Sequence, residues 1–248
     1  GLGDDTISGG AGNDYVLAQG GDDTISTGTG TDEVLGGSGD DVITVDGTGN
    51  KTIDGGTGTD SLTISVSGNT SLGSYTFSKS GDYLVLTDSG GNAIQYKSTE
   101  SLTVGSYTYV ENTSDDTYWN ATEKVLYMYD GGSFSFSSRP DDALSGFSAS
   151  NDFSVIGSNS TDSLGLNVDR SSTFTGSLTV SLGAGNDNLW SARFKSGDSV
   201  DMGDGDDVTE IYTDNSNGTP TYAALSMTKL DGGAGTDTLF FANMSSQG

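Results

Sequence analysis

The sequence contains no cysteine and no histidine among its 248 residues. These absences exclude disulfide bonds, thiol nucleophiles, Ser-His-Asp triads and HExxH metalloprotease sites. They also argue strongly against zinc, copper and iron–sulfur centres, which rely on imidazole and thiolate ligands. A metal bound by this chain would therefore be held by oxygen atoms.

Basic residues and long apolar runs are scarce as well. The chain has 9 Lys and Arg against 35 Asp and Glu, which gives a net charge of −26 at pH 7. Nucleic acids and anionic membrane surfaces are therefore poor candidates as partners, because phosphate binding needs clusters of Lys and Arg. No stretch of about 18 apolar residues is present, so we predict no membrane-spanning segment.

Acidic residues alone are sufficient for one kind of catalyst, a glycosidase that uses two carboxylates. Almost all the acids here, however, lie in glycine-rich repeats or polar loops, where a metal ligand or a solvated charge is the simpler interpretation. We therefore predict that this chain is not an enzyme.

Residues 1–63 repeat one nine-residue pattern seven times. Starting at Gly9 the unit reads Gly-Gly-Ala-Gly-Asn-Asp-Tyr-Val-Leu, and every step is nine residues except one of ten, where Val45 is inserted. The aspartate column is Asp5, Asp14, Asp23, Asp32, Asp41, Lys51 and Asp60, and the aliphatic column is Ile7, Val16, Ile25, Val34, Ile43, Ile53 and Leu62.

This period is incompatible with the apolar stripe of a helix, and it suits a very short strand after each glycine-rich turn. Two repeats then make one coil of a parallel roll with the aliphatic column inside. Ordering nine residues of backbone costs roughly 9–18 kcal/mol. Burying one Ile or Val returns only about 1.5–3 kcal/mol. Hydrophobic burial alone therefore cannot hold the roll, and the turns need another source of stability.

The turns supply oxygen ligands for a hard cation. Each has an aspartate, and glycine allows the sharp bends that expose backbone carbonyls. Calcium accepts 6–8 oxygens in flexible geometry, so it is the predicted metal. The candidate ligand aspartates here are Asp5, Asp14, Asp23, Asp32, Asp41 and Asp60, and the accompanying turn glycines are Gly10, Gly12, Gly21, Gly28, Gly30, Gly37, Gly39, Gly56 and Gly58.

The repeat resembles the calcium-binding nonapeptide of the RTX (repeats-in-toxin) family of β-rolls. Alternate repeats stack on the same side of a roll. Row one is then Asp5, Asp23, Asp41 and Asp60, and row two is Asp14, Asp32 and Lys51. The resemblance implies a calcium ion between successive turns of a row, about three in the first and about one in the second. Lys51 cannot ligate calcium, so we expect it to end its row, with its charge in place of an ion.

Calcium binding and folding are expected to be coupled. The first 64 residues hold twelve acids and one base by our count, so this segment should repel itself until cations neutralise it. Such sites fill outside a cell, where calcium is abundant, and remain empty in the cytosol.

Residues 65–150 form the predicted antiparallel β insertion. Ser74–Tyr109 has the alternation of strands, and its expected role is to cover the open end of the roll. Val125–Tyr129, Asp130-Gly131-Gly132 and Phe134–Phe136 predict a second hairpin. The aromatic residues of 118–136 are either the core of a small β domain or a platform for sugars or a partner, with the core favoured.

Residues 151–248 repeat the acidic turn with longer coils, which predicts a second RTX-like roll or β-helix after the insertion. Asp162 belongs to a degenerate first unit, and the loop Thr213–Thr221 should bulge from one coil. The calcium candidates are Asp187, Asp207 and Asp237 with Gly183, Gly185, Gly203, Gly205, Gly233 and Gly235. The predicted domains are therefore 1–64, 65–150 and 151–248, in an all-β chain.

The resemblance, the composition and the interrupted rolls suggest a secreted bacterial structural protein that uses calcium to fold and to assemble with its own copies into a surface layer. The chain begins within a repeat, and we expect it to be a fragment of a longer protein. Two alternatives stay open: the non-catalytic secretion and stability module of an exported enzyme, and a module that binds carbohydrate or ice. A cell-surface polysaccharide is a further candidate partner.

Overall fold

The structure is a computed structural model that describes residues 1–112, 117–120, 122–129, 133–135, 152–166, 176–192, 194, 196–213 and 227–243. Over these residues it is all-β apart from one 3-10 turn at Leu72–Ser74, which confirms the predicted fold class. None of the described residues belongs to a helix with the length and hydrophobicity needed to cross a bilayer. The chain forms two compact units, Gly1–Glu111 and Asn112–Gly248.

Unit one begins with a two-sheet parallel roll. Its strands are β1 (Thr6–Ser8), β2 (Tyr15–Gly20), β3 (Thr24–Ser26), β4 (Asp32–Ser38), β5 (Val42–Val45), β6 (Lys51–Thr57) and β7 (Ser61–Ile64). Odd-numbered strands stack in one sheet and even-numbered strands in the other. Ile7 pairs with Ile25, which is eighteen residues later, so two repeats make one coil as the period predicts.

The aliphatic column of the repeat divides into two buried stacks, one on each sheet. Ile25, Ile43 and Leu62 follow one another in register on β3, β5 and β7, and Val34 and Ile53 do so on β4 and β6. All five are fully buried, while the residues immediately before and after each of them along its strand face outward. The interior therefore has one large side chain per repeat, as the sequence predicts.

The insertion continues both sheets of unit one. It contains β8 (Tyr75–Ser80), β9 (Tyr83–Asp88), β10 (Ala93–Lys97), β11 (Ser101–Val104) and β12 (Tyr107–Asn112). β9 pairs in antiparallel fashion with both β8 and β10, and β10 adds in parallel to β6. β11 adds in parallel to β7 and pairs with β12 in antiparallel fashion. The edges left by the last coil of the roll are thereby covered.

Unit two is a second roll with longer coils. Its strands are β13 (Thr117–Asn120), β14 (Val125–Met128), β15 (Ser133–Ser135), β16 (Phe153–Ile156), β17 (Ser163–Gly165), β18 (Leu178–Ser181), β19 (Asn188–Ala192), β20 (Ser199–Asp201), β21 (Val208–Thr213), β22 (Lys229–Asp231) and β23 (Thr238–Asn243). One sheet has the order β13-β14-β16-β18-β20-β22 and the other β15-β17-β19-β21-β23. Every pairing in them is parallel except β13 with β14.

The predicted second hairpin is wrong in its pairing. β14 pairs with β13 and β16, while β15 lies in the other sheet and pairs with β17. The two segments therefore belong to opposite sheets of unit two, and their buried side chains Leu126, Met128 and Phe134 meet in one hydrophobic core. The turn at 130–132, Phe136 and residues 214–221 of the predicted bulging loop lie outside the described residues.

The aromatic side chains of this region form core. Tyr118, Trp119, Tyr127, Tyr129 and Phe134 are all buried. Trp119 packs against Phe153 with ring centroids 5.7 Å apart. The core interpretation therefore holds for these five, and they offer no exposed platform. The division into three domains stays a prediction.

Candidate metal centres

Each predicted ligand aspartate closes a six-residue turn that leads from one sheet to the other, and it occupies position six of that turn. In unit one the turn 9–14 is an example, between β1 and β2. Because the coils are in register, turns of the same row lie one above another. Isolated parallel β-bridges connect successive turns, for example Ala11 with Thr29 and Ala184 with Asp204.

The aspartates of a row are joined by a hydrogen-bond ladder. The Asp5 N–H donates to Asp23 Oδ1 at 2.7 Å, and the Asp23 N–H donates to Asp41 Oδ1 at 2.8 Å. The same bond joins Asp41 to Asp60, Asp14 to Asp32, Asp162 to Asp187, Asp187 to Asp207 and Asp207 to Asp237. The structure therefore brings the predicted aspartates together in the two rows expected for unit one, and in one row in unit two.

The second carboxylate oxygen of the same side chains is buried without a hydrogen bond. This holds for Oδ2 of Asp14, Asp23, Asp32, Asp41, Asp60, Asp187 and Asp207. A buried charged oxygen with no partner costs several kcal/mol unless a cation compensates it. Asp32 Oδ2 faces the Lys51 ammonium, and the other six oxygens, which occur in all three rows, indicate a shared requirement for a cation.

Lys51 marks where a cation fits. Its Nζ lies 3.1 Å from Asp32 Oδ2, with both side chains buried. It also donates to the carbonyl oxygens of Gly30 at 2.6 Å and Thr48 at 3.1 Å. The ammonium thus sits between two stacked turns, held by one carboxylate oxygen and two backbone carbonyls. At this step of the row the protein carries its own positive charge.

The carbonyl groups that hold Lys51 have equivalents at other pairs of successive turns in each row. The Gly30 N–H donates to the Thr48 carbonyl at 3.0 Å, a bond from position four of one turn to position three of the next. Gly21 and Ser38 make the equivalent bond at 2.9 Å. The further equivalents are Gly12 to Thr29, Gly39 to Thr57, Gly185 to Asp204 and Gly205 to Ala234. The oxygen set around Lys51 Nζ is therefore repeated where Lys is absent.

The turn glycines make this close stacking possible. All the predicted ones, at positions two and four, have positive φ. At position four, a Cβ on Gly30 would collide with the carbonyl of Gly12 in the turn below. At position one, a Cβ on Gly36 would collide with Asp41 Oδ2 and the Gly55 carbonyl. A larger residue there would fill the space beside the orphaned oxygen.

The structure adds three residues that the sequence did not single out as ligands. Gln19 takes the glycine position two of its turn, with φ of 83°. Glu100 accepts the Asp60 N–H at 2.6 Å, so it ends row one in the place of an aspartate. The sequence signal for Glu100 is its position just before β11, because most of the predicted ligand aspartates immediately precede a strand.

Asp162 is the third residue that the sequence did not single out as a ligand. It ends the row of aspartates in unit two, but through hydrogen bonds from a serine. Its Oδ2 accepts the Ser158 N–H at 2.7 Å and the Ser158 hydroxyl at 3.1 Å. Ser158 stands at position two of the turn, where the neighbouring turn has Gly183. A serine at that position satisfies the carboxylate by hydrogen bonds, so this step does not require a cation.

Among the described residues there is no group of three or more His, Cys, Asp or Glu side chains that could hold a metal. The turn geometry accounts for this. Each step offers carboxylates from only one or two side chains, and the remaining oxygens come from the backbone. A hard ion such as calcium, which accepts carbonyls readily, fits this donor set.

Burial raises the pKa values of several of these carboxylates. Loss of solvent, together with the neighbouring carboxylates, raises the pKa values of Asp41, Asp60 and Asp207 above the ordinary 3.8. The pKa of Asp187 rises from 3.8 to about 7, mainly through burial and then through repulsion by Asp162 and Asp207. A bound divalent ion would reverse these shifts by favouring the charged form.

The repeats match a family of calcium-binding sequences. The family model described as the RTX calcium-binding nonapeptide repeat (4 copies) matches residues 1–34, 17–47 and 229–243. A solved structure, the extracellular lipase LipA from Serratia marcescens, is similar at 19% identity and a TM-score of 0.34, over 96% of this chain and 34% of the lipase chain. The chain thus spans about a third of the length of that lipase. No curated protein sequence matches the chain.

Replacing Asp41 with Asn should raise the calcium concentration at half-folding by roughly tenfold or more, because a charged ligand becomes a neutral amide. Asn keeps an oxygen that can accept the Asp23 N–H, so the ladder need not break. Asp40→Asn is the matched control, since its exposed carboxylate only accepts the Thr59 N–H at 2.8 Å. Circular dichroism during calcium titration measures both. Equal midpoints for the two variants would contradict the assignment.

Lys51→Asp should create a calcium site between Asp32 and position 51, adding about one bound ion per chain. Lys51→Met should add none and should lose about 3–5 kcal/mol of stability, because it leaves the buried Asp32 carboxylate unpaired. Equilibrium dialysis gives the ion count, and urea unfolding in saturating calcium gives the stability. An unchanged ion count in Lys51→Asp would show that Lys51 does not occupy a cation position.

In chelator, unit two should become more stable as the pH falls. The pKa of Asp187 is about 7 in the folded chain against 3.8 ordinarily, so the folded state binds more protons between these values. This contribution is complete below about 3.8 and is lost as the pH rises through about 7. Circular dichroism in chelator across this window should show a partial strand signal that grows as the pH falls, and Asp187→Asn should flatten this trend. Stability that rises with pH in chelator would contradict the prediction.

Proposed function

The chain carries RTX calcium-binding nonapeptide repeats, and on that premise we propose that it is an extracellular structural protein whose fold is completed by calcium. Calcium ions would lie between stacked turns of both rolls. We further propose that calcium joins copies of the chain into a layer at a bacterial surface. The chain itself would then serve as scaffold and not as catalyst.

One observation carries the calcium proposal: the repeated buried Oδ2 without a hydrogen bond. Row one has three such oxygens, on Asp23, Asp41 and Asp60. Row two has one on Asp14, besides the oxygen of Asp32 that faces Lys51. These numbers agree with the ions expected from the sequence, and the ion count itself stays a prediction. Because Lys51 neutralises one step, the remaining steps need a charge from solution.

The extracellular location follows from the same chemistry. A chain of net charge −26 with several buried carboxylates should not close its turns at cytosolic calcium levels. Export would deliver it to a medium where the sites fill. Folding would thus occur only after the chain has left the cell. The RTX repeats support a secreted protein.

A second, exposed acidic ladder supports assembly between copies. Asp22 Oδ1 accepts the Asp40 N–H, and Asp4 Oδ1 accepts the Asp22 N–H, both near the surface at position five of their turns. This places regularly spaced carboxylates along the outside of row one. Calcium bound between two such ladders would bridge neighbouring copies and remove their repulsion.

The test is a calcium titration of the chain with magnesium as control, followed by circular dichroism and light scattering on the same samples. We expect strand content to appear with calcium only, and scattering to grow with it. Asp22→Asn/Asp40→Asn should fold at nearly the same calcium concentration but scatter less. Folding without any assembly would favour the alternative of a module from an exported enzyme. Full strand content in chelator would overturn the calcium-dependent fold.

A further inference from the structure

A groove of about 460 Å³ lies on the sheet β17-β19-β21-β23 of unit two. Its lining includes Ser163, Asn188, Trp190, Glu210 and Phe240. Leu189, beside Trp190, is fully buried in the core, so alternation along β19 directs Trp190 outward. The groove is therefore on the outer face of the roll, away from the hydrophobic interior.

The Trp190 indole is fixed in an exposed position. Its Nε1–H donates to Ser163 Oγ at 3.1 Å, which draws the ring across β17. Its register partner on β17 is Gly165, whose lack of a side chain leaves room for the ring. The residue is still 38% exposed. An indole that is held by its own N–H, with part of its surface in solvent, is a preformed stacking surface.

Phe240 provides a second ring on the same face. It is 54% exposed, and its register partner is Glu210. Its neighbour Phe241 pairs instead with the buried Ile211 and so belongs to the inward column. β21 separates β19 from β23 in the sheet, so Trp190 and Phe240 should stand about 10 Å apart at the usual strand spacing.

Polar groups lie between and beside the two rings. Glu210 on the intervening strand offers carboxylate oxygens, Asn188 offers an amide, and Ser163 a hydroxyl. None of the described lining residues is basic. With the net charge of −26, the groove repels anions and suits a ligand that donates hydrogen bonds without negative charge.

We propose that this groove binds a neutral glycan chain. The C–H faces of sugar rings would stack on Trp190 and Phe240, and sugar hydroxyls would donate to Glu210 and exchange hydrogen bonds with Asn188. Two aromatic faces separated by carboxylate and amide groups match the alternating apolar and hydroxyl surfaces of a pyranose chain. A purely apolar partner would leave the Glu210 carboxylate buried without a donor.

The groove depends on the acidic turns for its geometry. Trp190, Glu210 and Phe240 each stand three residues after an aspartate of the row in unit two, namely Asp187, Asp207 and Asp237. Glu210 and Phe240 are register partners, whereas the pairing of β19 with β21 shifts register between Leu189 and Ala192, so Trp190 stands beside their line. The stacked turns still set which strands lie side by side under the three side chains. Glycan binding should therefore require calcium, and this dependence rests on the proposed function.

The experiment is affinity electrophoresis of the full chain in gels containing a soluble β-glucan, a mannan or heparin, with calcium or with chelator. At least one neutral polysaccharide should retard the chain in calcium only, and heparin should not. Trp190→Ala should weaken retardation by roughly tenfold. Glu210→Gln should weaken it as well, without removing an apolar side chain. Phe241→Ala is the matched control, since this ring is 56% exposed but faces the inner column.

Circular dichroism on the same samples separates the two proposals. A chain that folds with calcium but is retarded by neither neutral polysaccharide would overturn the glycan site and leave the calcium-dependent fold intact. Equal loss of retardation in Trp190→Ala and Phe241→Ala would also overturn it, as would retardation by heparin alone. Retardation that persists in chelator, with the chain unfolded, would show that the groove is not the binding site.

Discussion

The whole structure depends on how it accommodates negative charge in its stacked turns. Each turn aspartate gives one oxygen to the backbone of the coil before it, as in the bond from the Asp23 N–H to Asp41 Oδ1. That bond sets the register of the coils and at the same time buries the second oxygen. The geometry that aligns the roll therefore creates the charge that destabilises it. A cation between turns would resolve the conflict, because it would bind the second oxygen without disturbing the first.

The chain contains three local solutions to this problem besides a metal ion. Lys51 inserts an ammonium next to Asp32. Ser158 satisfies Asp162 with an N–H and a hydroxyl. Glu100 closes row one with a longer carboxylate after the repeats have ended. All three stand at the end of a row: Lys51 in row two, Glu100 in row one and Ser158 with Asp162 in the row of unit two. The interior steps, which need the tightest stacking, are left with calcium as the fitting partner.

Unit two uses the same turn with a different coil. The steps along its row are 25, 20 and 30 residues, yet the ladder bonds keep their lengths near those of unit one. Extra residues are therefore accommodated away from the acidic turn. Its core is also wider, with Phe153, Leu178 and Phe194 beside the aliphatic columns. The outer face of such a roll can vary freely, which allows a groove such as the one at Trp190.

The local pattern alone determined the coil, its inward column and the aspartate rows, because a nine-residue period with glycine turns permits few other structures. Ile43 is buried in the inward column and Asp41 lies in its row, as their places in the repeat predict, while the role of Asp41 as a metal ligand stays a prediction. The partners of less regular segments were decided only by tertiary structure. β14 and β15 look like a hairpin, yet each joins a different sheet, because each pairs its backbone with a strand of the next coil, β16 or β17. Glu100 and Trp190 likewise gain their roles from strands that lie next to them only in the folded chain.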